Sequence, residues 1–241
     1  MKLDILYEDE YMIACVKPYG VPSQPDTTYG VDMITMIKEY LFEKGETEEE
    51  PYVAVINRLD RPVGGIILFA KNEEAAAKLS DMVQDGEIQK YYQVVVSGYL
   101  DEPEGEMVDY LIHDKKNNLA KVVSKDTKGA KKAMLNYEVL DELDTDEGTI
   151  SYLLVELITG RHHQIRCQMA AHGVPVWGDT KYNPAFQSGG KKGGAKGKKK
   201  TPDIGLFSTR MEFIHPFTGE EIFLHREPEG DAFDIMDQMD W

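Results

Sequence analysis

The residues best placed to do chemistry are a carboxylate and the guanidinium groups around it. Asp60 stands in Asn57-Arg58-Leu59-Asp60-Arg61-Pro62-Val63-Gly64-Gly65, two positions after Arg58 and directly before Arg61. A nearby opposite charge favours the ionised carboxylate. The pattern therefore reads either as a turn aspartate paired with an arginine or as a carboxylate kept charged at the mouth of a cleft. A second concentration of polar groups runs Arg161-His162-His163-Gln164-Ile165-Arg166. If the helix here includes both histidines, His162 and Arg166 lie four apart on one face, with His163 three before Arg166. Such a start offers hydrogen bonds to phosphate or carboxylate. The two histidines are adjacent rather than spaced by three or four, and no acid or cysteine completes a ligand set, so a metal site is not expected.

These side chains need elements to hold them. Val53 to Ile56 and Ile66 to Ala70 are short apolar runs separated by Pro62, Gly64 and Gly65, and read as two buried strands joined by a tight turn that carries Asp60. Upstream, Leu3 to Val16 reads as strand, acidic turn, strand, ended by Lys17-Pro18-Tyr19-Gly20-Val21-Pro22. Met33, Ile34, Ile37, Tyr40 and Leu41 give Asp32 to Phe42 a helical spacing. Asn72 is the expected N-cap of a second helix with an apolar face of Ala75, Ala76, Leu79, Met82 and Val83, stopped at Gly86. Ile88 to Gly98 is a strand in which Tyr91 and Tyr92 must face opposite ways. Leu119 to Val123, Ala133 to Leu140 and Ile150 to Ile158 are further strands, the last leading into the Thr159–Gly173 segment. Ile204 to Ile214 and Glu221 to Leu224 form a hairpin around His215-Pro216-Phe217-Thr218-Gly219.

Composition sets the frame. The 241 residues are 41% hydrophobic and 29% charged, enough for one domain with a real core. No apolar run approaches the roughly 20 residues of a membrane span, and the N-terminus lacks the basic and apolar regions of a signal peptide, which makes a cytoplasmic protein the expectation. Cys15 and Cys167 suit neither a disulfide framework nor a zinc cage. The net charge of -16 repels polyanions on average, but Lys115 to Lys132 holds seven lysines and Lys191 to Lys200 holds six. Charge in such blocks implies a basic face on an acidic body, or else solvated loops. Gln187 to Thr201, rich in Gly and Lys, cannot bury a core and is expected to be a mobile insertion at about 187–201. No internal repeat or linker divides the chain, so a single α+β domain over 1–241, in two lobes, is expected.

Three stretches taken in order, Arg58-Leu59-Asp60-Arg61, Lys90-Tyr91-Tyr92 and Gly160-Arg161-His162-His163-Gln164-Ile165-Arg166, resemble the RluA-like family of RNA pseudouridine synthases. The likeness extends to Val16-Lys17-Pro18-Tyr19-Gly20-Val21, Gly178-Asp179-Thr180-Lys181-Tyr182 and His215-Pro216-Phe217-Thr218-Gly219. It implies a mixed, largely antiparallel sheet in two lobes with a central catalytic cleft, and isomerisation of uridines in ribosomal or transfer RNA without cofactor or metal. It further implies Asp60 as the essential catalytic residue, Arg166 as the partner of its carboxylate, and Tyr92 against the uracil ring, assisting proton removal. Arg58, Arg61, Arg161, His162, His163, Gln164, Lys198, Lys199 and Lys200 are then the expected RNA contacts.

Two positions depart from the family pattern. Asn57 stands where histidine is usual and Gly64 where serine is common. The likeness also begins near Met1, so the small N-terminal RNA-binding domain of many relatives is expected to be lacking. A non-catalytic RNA-binding protein that kept the fold is the alternative, set against the presence of Asp60, Tyr92 and Arg166 together. A glycoside hydrolase would need a second carboxylate flanking the bond, and these motifs hold none.

Overall fold

The computed structural model describes residues 2–26, 30–45, 49–145, 148–187 and 201–237. In chain order the elements are β1 (Asp4–Glu8), β2 (Met12–Lys17), α1 (Met33–Glu43), β3 (Ala54–Val55), β4 (Gly64–Ala70), α2 (Glu73–Asp85), β5 (Gln89–Ser97), β6 (Glu104–Asp114), β7 (Leu119–Val122), β8 (Lys131–Thr145), β9 (Gly148–Leu157), α3 (Gln164–Ala171), β10 (Leu206–Ile214), β11 (Glu221–His225) and α4 (Asp231–Asp237). They fall into two compact units. The first comprises Met1–Lys90 and Phe207–Pro228, the second Tyr91–Leu206 and Glu229–Trp241. Among the described residues no helix is long and apolar enough to cross a membrane.

In the first unit the strands lie in the order β1-β2-β4-β10, with β3 also on β4 and β11 on β10. Every pairing is antiparallel except β4 with β10, which run parallel at Gly64–Phe207 and Gly65–Ser208. β2 and β4 are buried along their whole length, which is why both read as unbroken apolar runs rather than alternating ones. One layer of this core joins Met12, Ala14, Ile66 and Leu68 to Leu79 of α2 and to Met211 and Leu224. α2 begins where Asn72 accepts the Ala75 N–H at 2.8 Å and ends at Gly86 in the left-handed conformation with φ of 78°. The helix expected from Asp32 starts one residue later, because Asp32 is its cap and accepts the Thr35 N–H at 3.1 Å.

The second unit is wholly antiparallel, in the order β5-β9-β8-β6-β7. Leu111 of β6, Ala120 of β7 and Ala133 of β8 form a buried patch with Cys167 of α3, and Tyr182 packs against it. The mixed, largely antiparallel sheet of the sequence reading is thus found. Two elements were not anticipated. β6 reads Glu104-Gly105-Glu106-Met107-Val108-Asp109-Tyr110, and its acidic residues hide the alternation of buried Met107 and Leu111. α4 lies in the acidic tail, where Ala232 and Phe233 are buried and Phe233 meets the Tyr152 ring edge-on at 6.1 Å. The strand expected over 53–56 is reduced to the two residues of β3.

Candidate active site

Asp60 belongs to the turn that precedes β4, and the backbone on both sides of it is held by the segment after β2. The Ser23 hydroxyl donates to the Leu59 carbonyl at 2.7 Å and accepts the Leu59 N–H at 3.1 Å. On the other flank the Gly20 N–H donates to the Arg61 carbonyl at 2.9 Å, and Arg61 Nε returns a bond to the Gly20 carbonyl at 2.9 Å. The turn itself is closed by the Val63 N–H on the Asp60 carbonyl at 2.9 Å. Lys17 completes the arrangement. Its side chain is 0% exposed and Nζ donates to the carbonyls of Pro18, Val21 and Arg61 at 3.0, 2.7 and 3.1 Å. Burial pushes the Lys17 ammonium down to about 7, although the Asp60 carboxylate favours its charge, and Arg61 opposes that charge. Asp60 is half-buried on a backbone fixed from both flanks.

The glycines after Asp60 have separate reasons. Gly65 has φ of 110°, and a Cβ there would lie 2.3 Å from the Ser208 carbonyl oxygen, so the parallel contact of β4 with β10 needs glycine. At Gly64 a Cβ would meet Phe207 and Tyr19 ring atoms at 3.0 Å. Those two rings fill the space that a serine would take. Asn57, the other departure, is buried and accepts the Leu68 N–H through Oδ1 at 2.8 Å, fastening the approach to the turn onto β4.

In the second unit the donor-rich segment is only partly helical. His162 and His163 precede α3, and His163 adopts φ of 50° and ψ of 31°, a left-handed conformation that cannot continue into a helix. The expected shared face of His162 and Arg166 is corrected on that ground. Gln164 is corrected as well. It is buried, its Oε1 accepts Thr159 Oγ1 at 2.7 Å and the Arg161 N–H at 2.9 Å, and its Nε2 donates to the Met134 carbonyl at 3.0 Å. Gln164 holds the loop rather than presenting its amide outward. Arg161 Nε donates to the Lys132 carbonyl at 2.9 Å, next to the basic stretch that opens β8.

Arg166 forms a two-pronged bond with Asp179, Nε to Oδ2 at 2.7 Å and Nη2 to Oδ1 at 2.8 Å, with Asp179 0% exposed. Burial would raise the Asp179 carboxyl, but the Arg166 bonds and charge and the N–H groups of Lys181 and Tyr182 hold it below the usual range. The guanidinium also lies 5.3 Å above the centre of the Tyr182 ring. Neither Asp179 nor Tyr182 was given a role from the sequence. The one available signal was a lone carboxylate just past an apolar turn, thirteen residues after an arginine. Tyr92 is 6% exposed on β5, opposite Val155, whereas Arg58 and Arg61 are exposed. Lys198, Lys199 and Lys200 lie outside the described residues, as does most of the insertion expected at about 187–201.

The comparisons with known proteins agree with this architecture. A family model described as RNA pseudouridylate synthase matches residues 11–171. The chain belongs to the RNA pseudouridylate synthase family and is an isomerase that forms pseudouridine in RNA. A tRNA pseudouridine synthase C from Vibrio vulnificus is 27% identical over 99% of this chain and 96% of its own length. The protein of that name from Haemophilus ducreyi is 30% identical over 92% of this chain and 89% of its own. Among solved structures, human RNA Pseudouridylate Synthase Domain Containing 4 superposes with a TM-score of 0.75 at 18% identity, over 94% of this chain and 88% of that one. Human RNA Pseudouridylate Synthase Domain Containing 1 gives 0.69. These two likenesses are of fold.

Proposed function

We propose that the chain converts uridine to pseudouridine in transfer RNA, with Asp60 as the covalent catalyst and no cofactor. The observation that carries the substrate is the end-to-end match to proteins named tRNA pseudouridine synthase C, which leaves almost none of either chain unmatched. The reaction breaks the bond between uracil N1 and ribose C1′, turns the ring and rejoins it through C5. N1 gains a proton and C5 loses one, so no oxidant or group donor enters. Asp60 suits such work because its flanking residues are fixed and the residue is only half-buried. Addition to uracil C6 and attack on ribose C1′ are both open to it. Tyr92 assists removal of the C5 proton, and Arg166, oriented by Asp179, acts as the catalytic arginine. The target base leaves its stack to be reached, and Arg58, Arg61, Arg161, His162 and His163 contact the RNA.

The test is a pseudouridine map of total RNA by carbodiimide labelling and primer extension, comparing cells that carry the wild-type protein with cells that carry Asp60→Asn. Loss of one or a few tRNA sites in the variant is expected. An unchanged map of all tRNAs would overturn the assignment of Asp60.

A further inference from the structure

The direction in which a side chain leaves the backbone is set by the two peptide planes that meet at its Cα, since these fix φ and ψ and leave only the side-chain torsions free. At Asp60 both planes are held. The plane before it carries the Leu59 carbonyl, which accepts the Ser23 hydroxyl at 2.7 Å. The plane after it carries the Asp60 carbonyl, which accepts the Val63 N–H at 2.9 Å. The second bond is made by the turn's own backbone. The first is made by one side chain, 36 positions away in the sequence. The Ser23 oxygen also accepts the Leu59 N–H at 3.1 Å, so a single hydroxyl holds both planes that flank Leu59.

This task needs a group that donates and accepts at once on a short stem, which is what a hydroxyl supplies and a methyl does not. Ser23 and Leu59 are 5% and 6% exposed, so water is poorly placed to take over either bond. The serine is itself placed from both sides. Before it, the Gly20 N–H and carbonyl grip Arg61. Next to it, the Pro22 carbonyl accepts the Met33 N–H at 3.0 Å and ties the segment to the start of α1. Ser23 thus joins the first turn of a buried helix to the peptide that precedes Asp60.

We infer that Ser23 is a positioning residue of the reaction, its hydroxyl fixing the peptide before Asp60 and with it the direction of the carboxylate. The inference rests on the reading of Asp60 as the catalyst. Buried as it is, Ser23 acts through Leu59 and not on the RNA. Loss of the hydroxyl therefore falls on the chemical step, because a carboxylate on a looser backbone spends less time aligned with the base or the ribose, while the surface that binds RNA is kept.

Ser23→Ala and Ser23→Thr in the full chain test this, by steady-state turnover on tRNA and by hydrogen exchange of the ¹⁵N-labelled backbone amides. In folded Ser23→Ala, kcat should fall about ten- to hundred-fold with KM within about two-fold of the wild type. The Leu59 amide should exchange about ten-fold faster, as for one missing hydrogen bond, and the Val63 amide should speed up with it. Ser23→Thr keeps the hydroxyl and should restore most of both kcat and the Leu59 protection. Full kcat in folded Ser23→Ala, a raised KM with kcat unchanged, or a Val63 amide unmoved by the substitution overturns the positioning role. A wild-type Leu59 amide that exchanges as fast as an unprotected peptide overturns it even if Ser23→Ala fails to fold. A wild-type protein that makes no pseudouridine in any tRNA overturns the proposed function, and the Leu59 and Val63 exchange rates then still decide whether Ser23 fixes the turn.

Discussion

At the scale of single residues, the turn that carries Asp60 is governed by groups chosen for what they do to backbone atoms. Lys17 is the strongest case, since three carbonyls converge on one buried ammonium. Lys17→Met fits the volume but abandons those carbonyls away from water. It is expected to cost about 2–4 kcal/mol of stability, measured by urea unfolding, and to lower turnover in conditions where both proteins remain folded. Gly65→Ala meets both a left-handed backbone and the Ser208 carbonyl at 2.3 Å, so a loss of about 3 kcal/mol or more is expected by the same measurement. Gly64→Ser, which presses on the Phe207 and Tyr19 rings at 3.0 Å, should cost about 1–2 kcal/mol. Asp60 stands out in the sequence because two arginines and a broken apolar run surround it, while its proposed role comes from the family likeness. Ser23 does not stand out, because a serine after Val21-Pro22 is an ordinary turn residue until its hydroxyl is seen to bracket Leu59 from 36 positions away.

Secondary-structure elements were legible where burial on one face produced a period. The faces and caps of α1 and α2 follow from their apolar spacing and from Asp32 and Asn72. β6 was hidden because exposed Glu104 and Glu106, with Asp109 on the opposite face, break up the apolar pattern and read as an acidic cluster. The boundary between loop and α3 was left open because nothing in Arg161-His162-His163 announces the left-handed residue that precedes the helix. At this scale the element to perturb is the join between α3 and the turn after it. Asp179→Asn keeps the shape and removes the charge of one partner of a buried ion pair. A destabilisation of about 3–5 kcal/mol is expected, visible as a lowered midpoint in denaturant. Restoring charge with Asp179→Glu should recover only part of it, because the two-pronged geometry depends on side-chain length.

For the whole molecule, charge decides two behaviours. Glu8 links β1 to α1 and to the end of β4. It accepts Tyr40 Oη at 2.8 Å and the ammonium groups of Lys44 and Lys71 at 3.0 Å each. Burial alone would raise its carboxyl, but these partners hold it down at about 2, against an ordinary value of 4.5. A carboxylate whose folded value is depressed contributes stability that is present above about pH 4.5 and lost as the pH falls toward 2. The urea midpoint should therefore decline over that window, and Glu8→Gln should start lower at neutral pH and decline less. The second behaviour concerns RNA. With a net charge of -16, binding must rely on local lysines, and Lys125, Lys128 and Lys131 are exposed between β7 and β8 or at the β8 start. Replacing the three with alanine should weaken tRNA binding and flatten its dependence on salt, by about one slope unit for each phosphate that is no longer neutralised.

The parallel contact of β4 with β10 has a consequence for how the chain is made. Gly64 leaves the ribosome roughly 140 residues before its neighbour Phe207. In the interval β2 and β4 can pair, since only a short stretch separates them, but β4 has no β10 beside it, and Met211, Phe213, Ile222 and Leu224 are still missing from its core. The emerging first unit thus carries an apolar strand not yet joined by β10 while Tyr91–Leu206 of the second unit are synthesised. Such a strand invites pairing with the wrong partner. Shelter of the nascent chain over that interval, by a chaperone or by slow release, thereby becomes a condition of good yield. A chain released at residue 205 should fold its second unit's antiparallel strands and aggregate through its first.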